Sequence, residues 1–356
     1  NIGPWTDDGL HRAWTVCEML PPDAVESNPR LMGILRDNAN PTGAAGLVGN
    51  AYYWGASNNV VMGQLNGEGV TGNVDASQEV YWEFVKNPDG TWKLDANGKK
   101  IPKRDAMGNL VPAHGVQVNS FNATLRHEIG HAVDAALNVM EGGWRTRDVA
   151  GGWVKYSSYS AMADAIIADF GGLTNAAHCP AGKQGTWRTA IINTLTSNPA
   201  ITFTAAVQAL DATPGLVIND AGPASAIFVP ARWTGGGTGP WYNQGAQKTG
   251  ASGRRYQRGY DDSASLWSYL GATRDSRAVT QYQWRAPAEW FAEVYQVYYA
   301  EQENDPNAAV GGILRSRDAE AANMMSSIVD RGYSPQAMRG GTVGAAGTGT
   351  NTGVPR

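Results

Sequence analysis

Residues 125–137 read LRHEIGHAVDAAL, and the fold turns on whether this stretch is a helix. Leu125, Ile129, Val133 and Leu137 recur every four residues, the spacing of one helical face. On such a helix His127 and His131 lie one turn apart on a common side. Their imidazole nitrogens can then reach a single ion at about 2.0–2.1 Å. Glu128 falls about 100° around the helix from His127, close enough to take a proton from water at that ion without being forced to ligate. Ser120 or Asn122 is expected to cap the helix, and Gly130 to allow close packing against a neighbour.

The competing reading is an amphipathic helix with a polar face. Histidine is scarce, five in 356 residues, yet two fall at ligand spacing with a glutamate between them, which favours a metal site. Cys17 and Cys179 are too few for a thiolate zinc site; a disulfide and two isolated thiols both stay open. A catalytic zinc needs a third protein ligand. Asp134 follows His131 by one turn, but one straight helix would have to supply three donors, so a supporting contact behind the ligands suits it better. The longer H-E-x-x-H-x-x-G-x-x-H pattern fails, with Asp134 at the glycine position and Leu137 at the third histidine. His114, in a Pro/Gly turn, and His178, beside Cys179, read as surface or capping residues.

The strongest source of a third ligand is PAEWFAEVYQVYY at 287–299. Glu289 and Glu293 are four apart on a helix whose other positions are mostly aromatic or β-branched, a pattern that predicts burial. Buried carboxylates need partners. One can bind the metal while the other hydrogen-bonds the far nitrogen of a ligating histidine.

HEIGHAVD at 127–134, followed by Y-x6-E-W-F-A-E at 282–293, resembles the catalytic domain of anthrax lethal factor and its relatives, the lethal-factor-like gluzincins that include bacterial Pro-Pro endopeptidases. The resemblance implies a zinc-dependent endopeptidase with His127, His131 and Glu289 as zinc ligands and Glu128 as general base. It also implies Tyr282, seven residues before Glu289, as a transition-state donor. The fold it implies is α+β and zincin-like, with a small sheet, an active-site helix and a large insertion between the second histidine and the third ligand. It covers roughly thirty residues in two blocks, and about 150 residues separate His131 from Glu289, far more than in compact family members.

Outward from these blocks, the chain divides into residues 1–140 with the sheet and the H-E-x-x-H helix, an insertion at 141–278, a helical part at 279–338 and a Gly/Thr-rich flexible tail at 339–356. Helix-like patterning over residues 6–40 is interrupted by Pro21-Pro22. Residues 48–65 read as two short strands around a Gly/Asn turn, and 79–102 as a hairpin about Asn87-Pro88-Asp89-Gly90. Ser57–Met62 is the expected edge strand for an extended substrate. Short helices and Gly-rich loops fill the insertion, and residues 233–260 are candidates to line a cleft.

The formal charge is −4 and no long Lys/Arg run occurs, which argues against nucleic acid or an anionic membrane as the main partner. No apolar run approaches the ~20 residues of a membrane helix. The partner is then a protein or peptide substrate, with oligomeric state open. Low charge, many Gly, Trp and Tyr, and an Asn at the first position fit a processed or excised domain of a secreted or translocated bacterial toxin or effector. Three alternatives stay open: an aspzincin-type peptidase with Asp261, Asp262 or Asp169 as third ligand, a zinc hydrolase of peptidoglycan peptides, and a non-enzymatic module with a vestigial metal site.

Overall fold

The computed structural model describes residues 4–37, 51–63, 80–95, 100–113, 118–169, 172, 188–189, 192, 252–258, 266–280, 282–284 and 286–329. In chain order its elements are α1 (Asp7–Glu18), α2 (Pro22–Val25), β1 (Gly33–Asp37), β2 (Ala51–Trp54), β3 (Asn59–Gly63), α3 (Ser120–Leu137), β4 (Val154–Tyr156), α4 (Tyr159–Asp169), β5 (Arg254–Arg258), β6 (Leu266–Leu270), α5 (Gly271–Arg277), α6 (Pro287–Tyr298), α7 (Gly312–Arg317) and α8 (Ala319–Ile328). This is a mixed α/β protein with two small sheets and, among the described residues, eight α-helices. None of these helices is long and apolar enough to cross a membrane. The chain forms two units, Asn1–Trp144 with Arg277–Arg356, and Arg145–Ser276.

In the first unit α3 is the central element. Leu125, Ile129 and Val133 are buried, as their four-residue spacing requires. Its cap is Asn119, one residue ahead of Ser120 and three ahead of Asn122, the two expected positions. The Asn119 side chain accepts from Phe121 N–H at 2.8 Å and Asn122 N–H at 3.4 Å, satisfying donors that no helical carbonyl reaches. The helix stops where Asn138 adopts a left-handed φ of 54°.

On one side α3 meets β2 and β3, and on the other α6. Gly130 makes the second contact possible: a Cβ there would lie 3.0 Å from the Ala292 Cα and 3.2 Å from the Tyr295 Cβ. Helix α6 begins with Pro287 at a position where a missing N–H costs nothing, and every residue except Ala288 is buried. A buried ion pair fixes the start of α3 to the turn after α6. Arg126, fully buried, places Nη1 2.9 Å from Glu303 Oε2, and Glu303 Oε1 accepts from Asn119 N–H and Asn122 Nδ2.

The sheet of this unit has the order β1-β3-β2, with β1 parallel and β2 antiparallel to β3. Two expectations are corrected here. Gly33–Asp37, read with the helix-like patterning of residues 6–40, is a strand. And Ser57–Met62 does not form the edge, because β3 is paired on both sides; among the described residues β2 and β1 are the edges.

Residues 80–113 contain the expected turn, with Asn87 N–H donating to Thr91 O and Gly90 at φ 84°. They also close into something the alternation does not announce. Glu83 N–H donates to Val111 O, Val111 N–H to Lys103 O, and Lys103 N–H to Glu83 O, at 2.9, 3.1 and 2.8 Å. Val85, Ile101 and Lys93 repeat the same cycle one layer on. In each cycle three extended segments satisfy one another, and the two cycles share the segments at 83–85 and 101–103.

The second unit pairs β4, β6 and β5 in that order, antiparallel throughout. Trp153, Trp267 and Tyr269 form its aromatic core. The Asp169 carboxylate accepts from Ser252 N–H, Ser252 Oγ and Tyr256 Oη. Of the residues weighed from sequence, His114, His178, Cys179, Asp261, Asp262, the tail 339–356 and residues 233–251 lie outside the described residues.

Candidate metal centre

Helix α3 brings His127 and His131 to one side, their Nε2 atoms 3.1 Å apart and their rings edge to face. Helix α6 delivers Glu289 opposite them. Its Oε2 lies 3.1 Å from His127 Nε2 and 3.4 Å from His131 Nε2. Donors at about 2.0–2.1 Å from one tetrahedral ion stand roughly 3.3–3.4 Å from each other. These three atoms approach that triangle. Glu289 Oε2 is also buried with no hydrogen-bond partner, a costly state for a carboxylate oxygen unless something else completes it.

Glu128 competes for the same description. Ligand atoms of His127, Glu128 and His131 lie within 4.8 Å of one another, and this buried group could hold a metal ion. The two glutamates differ in what else they touch. The Glu128 carboxylate accepts the backbone N–H of Tyr53, on β2, whereas Glu289 Oε2 faces only the two histidines. The Tyr53 N–H therefore points away from β3, so the outer edge of β2 runs beside Glu128.

The remaining sequence-selected residues fall into distinct places. Glu293, one turn along α6, puts Oε1 2.9 Å from His127 Nδ1, the nitrogen facing away from Glu289. Tyr282 sits in a short 3-10 turn, Tyr282–Trp284, just ahead of α6. Its hydroxyl donates to Glu289 Oε1 at 3.2 Å, and its ring lies 5.5 Å from that of His127. Asp134 is turned elsewhere: Oδ1 accepts from Met140 N–H at 2.9 Å, closing the loop that leaves α3. Its influence on His131 is that of a nearby charge.

Burial and pairing set the charges. Burial alone would disfavour ionised Glu289, but the adjacent His127 and His131 outweigh it and hold the carboxyl well below its usual range. Burial likewise opposes a charged His127, and Glu289 and Glu293 outweigh it, lifting the imidazole well above its usual value. Glu128 is raised, burial being the largest cause and the nearby His127 and His131 opposing it. Burial pushes Asp134 up to about 7.

Sequence reasoning missed the partners behind Glu293. Gln296 Nε2 donates to Glu293 Oε2 at 3.3 Å, and Tyr81 Oη donates to Gln296 Oε1 at 3.0 Å. The available signal was a lone amide three residues after Glu293 in an otherwise aromatic run. Nothing local tied it to Tyr81. The chain matches no protein-family model, no curated protein and no solved structure.

Proposed function

We propose that this protein is a zinc-dependent endopeptidase of the lethal-factor-like gluzincin type, built on a zincin-like core of α3, α6 and the β1-β3-β2 sheet. The observation that carries the reading is the buried Glu289 Oε2, at ligand spacing from two histidine nitrogens and with no hydrogen bond completed to it. His127, His131 and Glu289 would hold the ion, and Glu293 would orient His127 through Nδ1. When bound, zinc supplies a Lewis acid that polarises a carbonyl and makes water more acidic.

The chain's own residues supply the rest. Glu128, raised by burial, takes the proton of the attacking water and passes it to the leaving amine. Tyr282, already poised as a donor at Glu289, is the hydroxyl available to an oxyanion as charge develops. The outer edge of β2, paired with no other strand among the described residues, would offer backbone groups to an extended peptide beside Glu128, by strand addition. That assigns to β2 the role expected of residues 57–62. Placement as a secreted or translocated bacterial toxin- or effector-type protease rests on composition and on the resemblance alone.

The test is hydrolysis of a denatured protein substrate and a peptide library by zinc-loaded wild type and Glu128→Gln, each with bound zinc measured. The reading expects cleavage by the wild type, and loss of at least about a hundredfold in the variant with zinc retained. Equal cleavage by both proteins would overturn the assignment of Glu128. Cleavage of cell-wall peptides but no protein would move the substrate class to peptidoglycan.

A further inference from the structure

We propose that Tyr81 and Gln296 are positioning residues for the metal centre, acting through a buried relay from Tyr81 to Gln296 to Glu293 to His127 that fixes which His127 nitrogen faces the ion. The inference rests on the metal-site reading above and extends it to a part of the chain remote in sequence from both motif blocks.

Every link is interior. Tyr81 and Gln296 are each 1% exposed, and Glu293 is 4% exposed. Tyr81 Oη donates to Gln296 Oε1 at 3.0 Å, Gln296 Nε2 donates to Glu293 Oε2 at 3.3 Å, and Glu293 Oε1 stands 2.9 Å from His127 Nδ1. The order of donors gives the relay a direction. A phenol whose proton is kept by burial can donate to an amide oxygen, which turns the amide nitrogen toward the carboxylate. Reversed, the amide would set its oxygen against a carboxylate, two acceptors facing each other. Glu293, satisfied on one oxygen, keeps Oε1 2.9 Å from the buried His127 Nδ1, where it is the acceptor within reach of an N–H on that nitrogen. That leaves the Nε2 lone pair for the metal, the tautomer a ligand needs.

Both ends are anchored. The Gln296 backbone carbonyl accepts from Arg126 Nε at 3.2 Å, and Arg126 immediately precedes His127. The Tyr81 carbonyl accepts from Ala113 N–H at 2.8 Å, the closing bond of the cyclic module at 80–113. The module thus has a consequence at the metal centre beyond its own fold.

The experiment measures zinc affinity of the full chain by competition with a chromophoric chelator, together with the visible spectrum of the cobalt-substituted protein and the melting temperature of the metal-free protein. Wild type, Tyr81→Phe, Gln296→Leu and the double variant are compared. The relay predicts that each single variant weakens zinc roughly tenfold and alters the cobalt bands. It also predicts that the double variant binds no more weakly than Gln296→Leu, because Tyr81 acts through Gln296. Affinities within twofold of wild type, with only the metal-free melting temperature lowered, would reduce both residues to packing and overturn the relay. Additive losses in the double variant would overturn it too. If Gln296→Leu does not fold, the near-isosteric Tyr81→Phe decides alone. Absence of zinc binding by the wild type would instead strike the metal-site reading itself.

Discussion

Replacing Gly130 with alanine puts a methyl group where α6 leaves no room for one. The added Cβ would stand 3.0 Å from the Ala292 Cα and 3.2–3.3 Å from Tyr295 Cβ and Cδ1. Comfortable carbon–carbon contact is about 3.5–4.0 Å, so the methyl intrudes by roughly half an ångström or more. The nearest obstacle is backbone, which cannot rotate aside as a side-chain tip can. The helices must therefore separate. Overpacking of this kind costs about 1–3 kcal/mol, while alanine in a helix interior gains about 1 kcal/mol over glycine. With backbone as the clashing group, a net loss of about 1–2 kcal/mol is expected, or a melting temperature lower by roughly 2–8 °C. The consequence for the site is larger. His127 and His131 ride on α3 and Glu289 on α6, and metal sites tolerate errors of only about 0.2 Å in ligand distance. Zinc affinity should fall by more than about tenfold. Thermal melts of the metal-free protein and chelator competition measure the two effects separately. A variant as stable as wild type with unchanged zinc affinity would refute the argument that α3 and α6 meet at this glycine.

Tyr282→Phe should lower kcat by about a hundredfold with KM little changed, since the hydroxyl serves developing charge and not ground-state binding; an equal rise in KM at constant kcat would contradict that role. Stability should also respond to pH through His127. Its folded value is raised above the unfolded value of 6.5, so the stability it contributes is full below 6.5 and is lost as pH rises through the folded value. The metal-free melting temperature should therefore decline from about pH 6 toward alkaline pH, and zinc affinity should climb over the same range as the displaced proton becomes easier to lose. A metal-free melting temperature that rises with pH would contradict the His127–Glu289–Glu293 assignment.

How far the sequence revealed this arrangement depended on how local each signal was. The four-residue stripe of α3 and the histidine pair on it are properties of one helix, and both were readable. That Glu289 and Glu293 would have partners followed from one further inference, that carboxylates on a helix apolar all round must be paired; the resemblance alone separated one from the other. Tyr282 was singled out only by the resemblance, and its position is set by a single turn leading into α6. The edge strand was misplaced because order within a sheet is a property of three segments, and nothing in Val60-Val61-Met62 says that β1 covers its far side. The cap moved for a simpler reason: Asn119, Ser120 and Asn122 are all competent cap residues, and only the backbone decides among them. The cyclic exchange at 80–113 and the reach of Tyr81 to Gln296 depend on contacts far apart in the chain, which no local pattern encodes. Asp134 lay close to the histidines in sequence, yet its carboxylate serves Met140 N–H, because helical spacing fixes the face and not the partner.

The central claim is that Glu289 completes a zinc site with His127 and His131. The most direct measurement is zinc per chain by elemental mass spectrometry on purified wild type and Glu289→Ala prepared in parallel, each after zinc addition and removal of excess. The account predicts about one zinc per wild-type chain and close to none in the variant. Equal zinc in both would pass the third position to another carboxylate, Glu128 first. No zinc in the wild type would contradict the metal centre altogether.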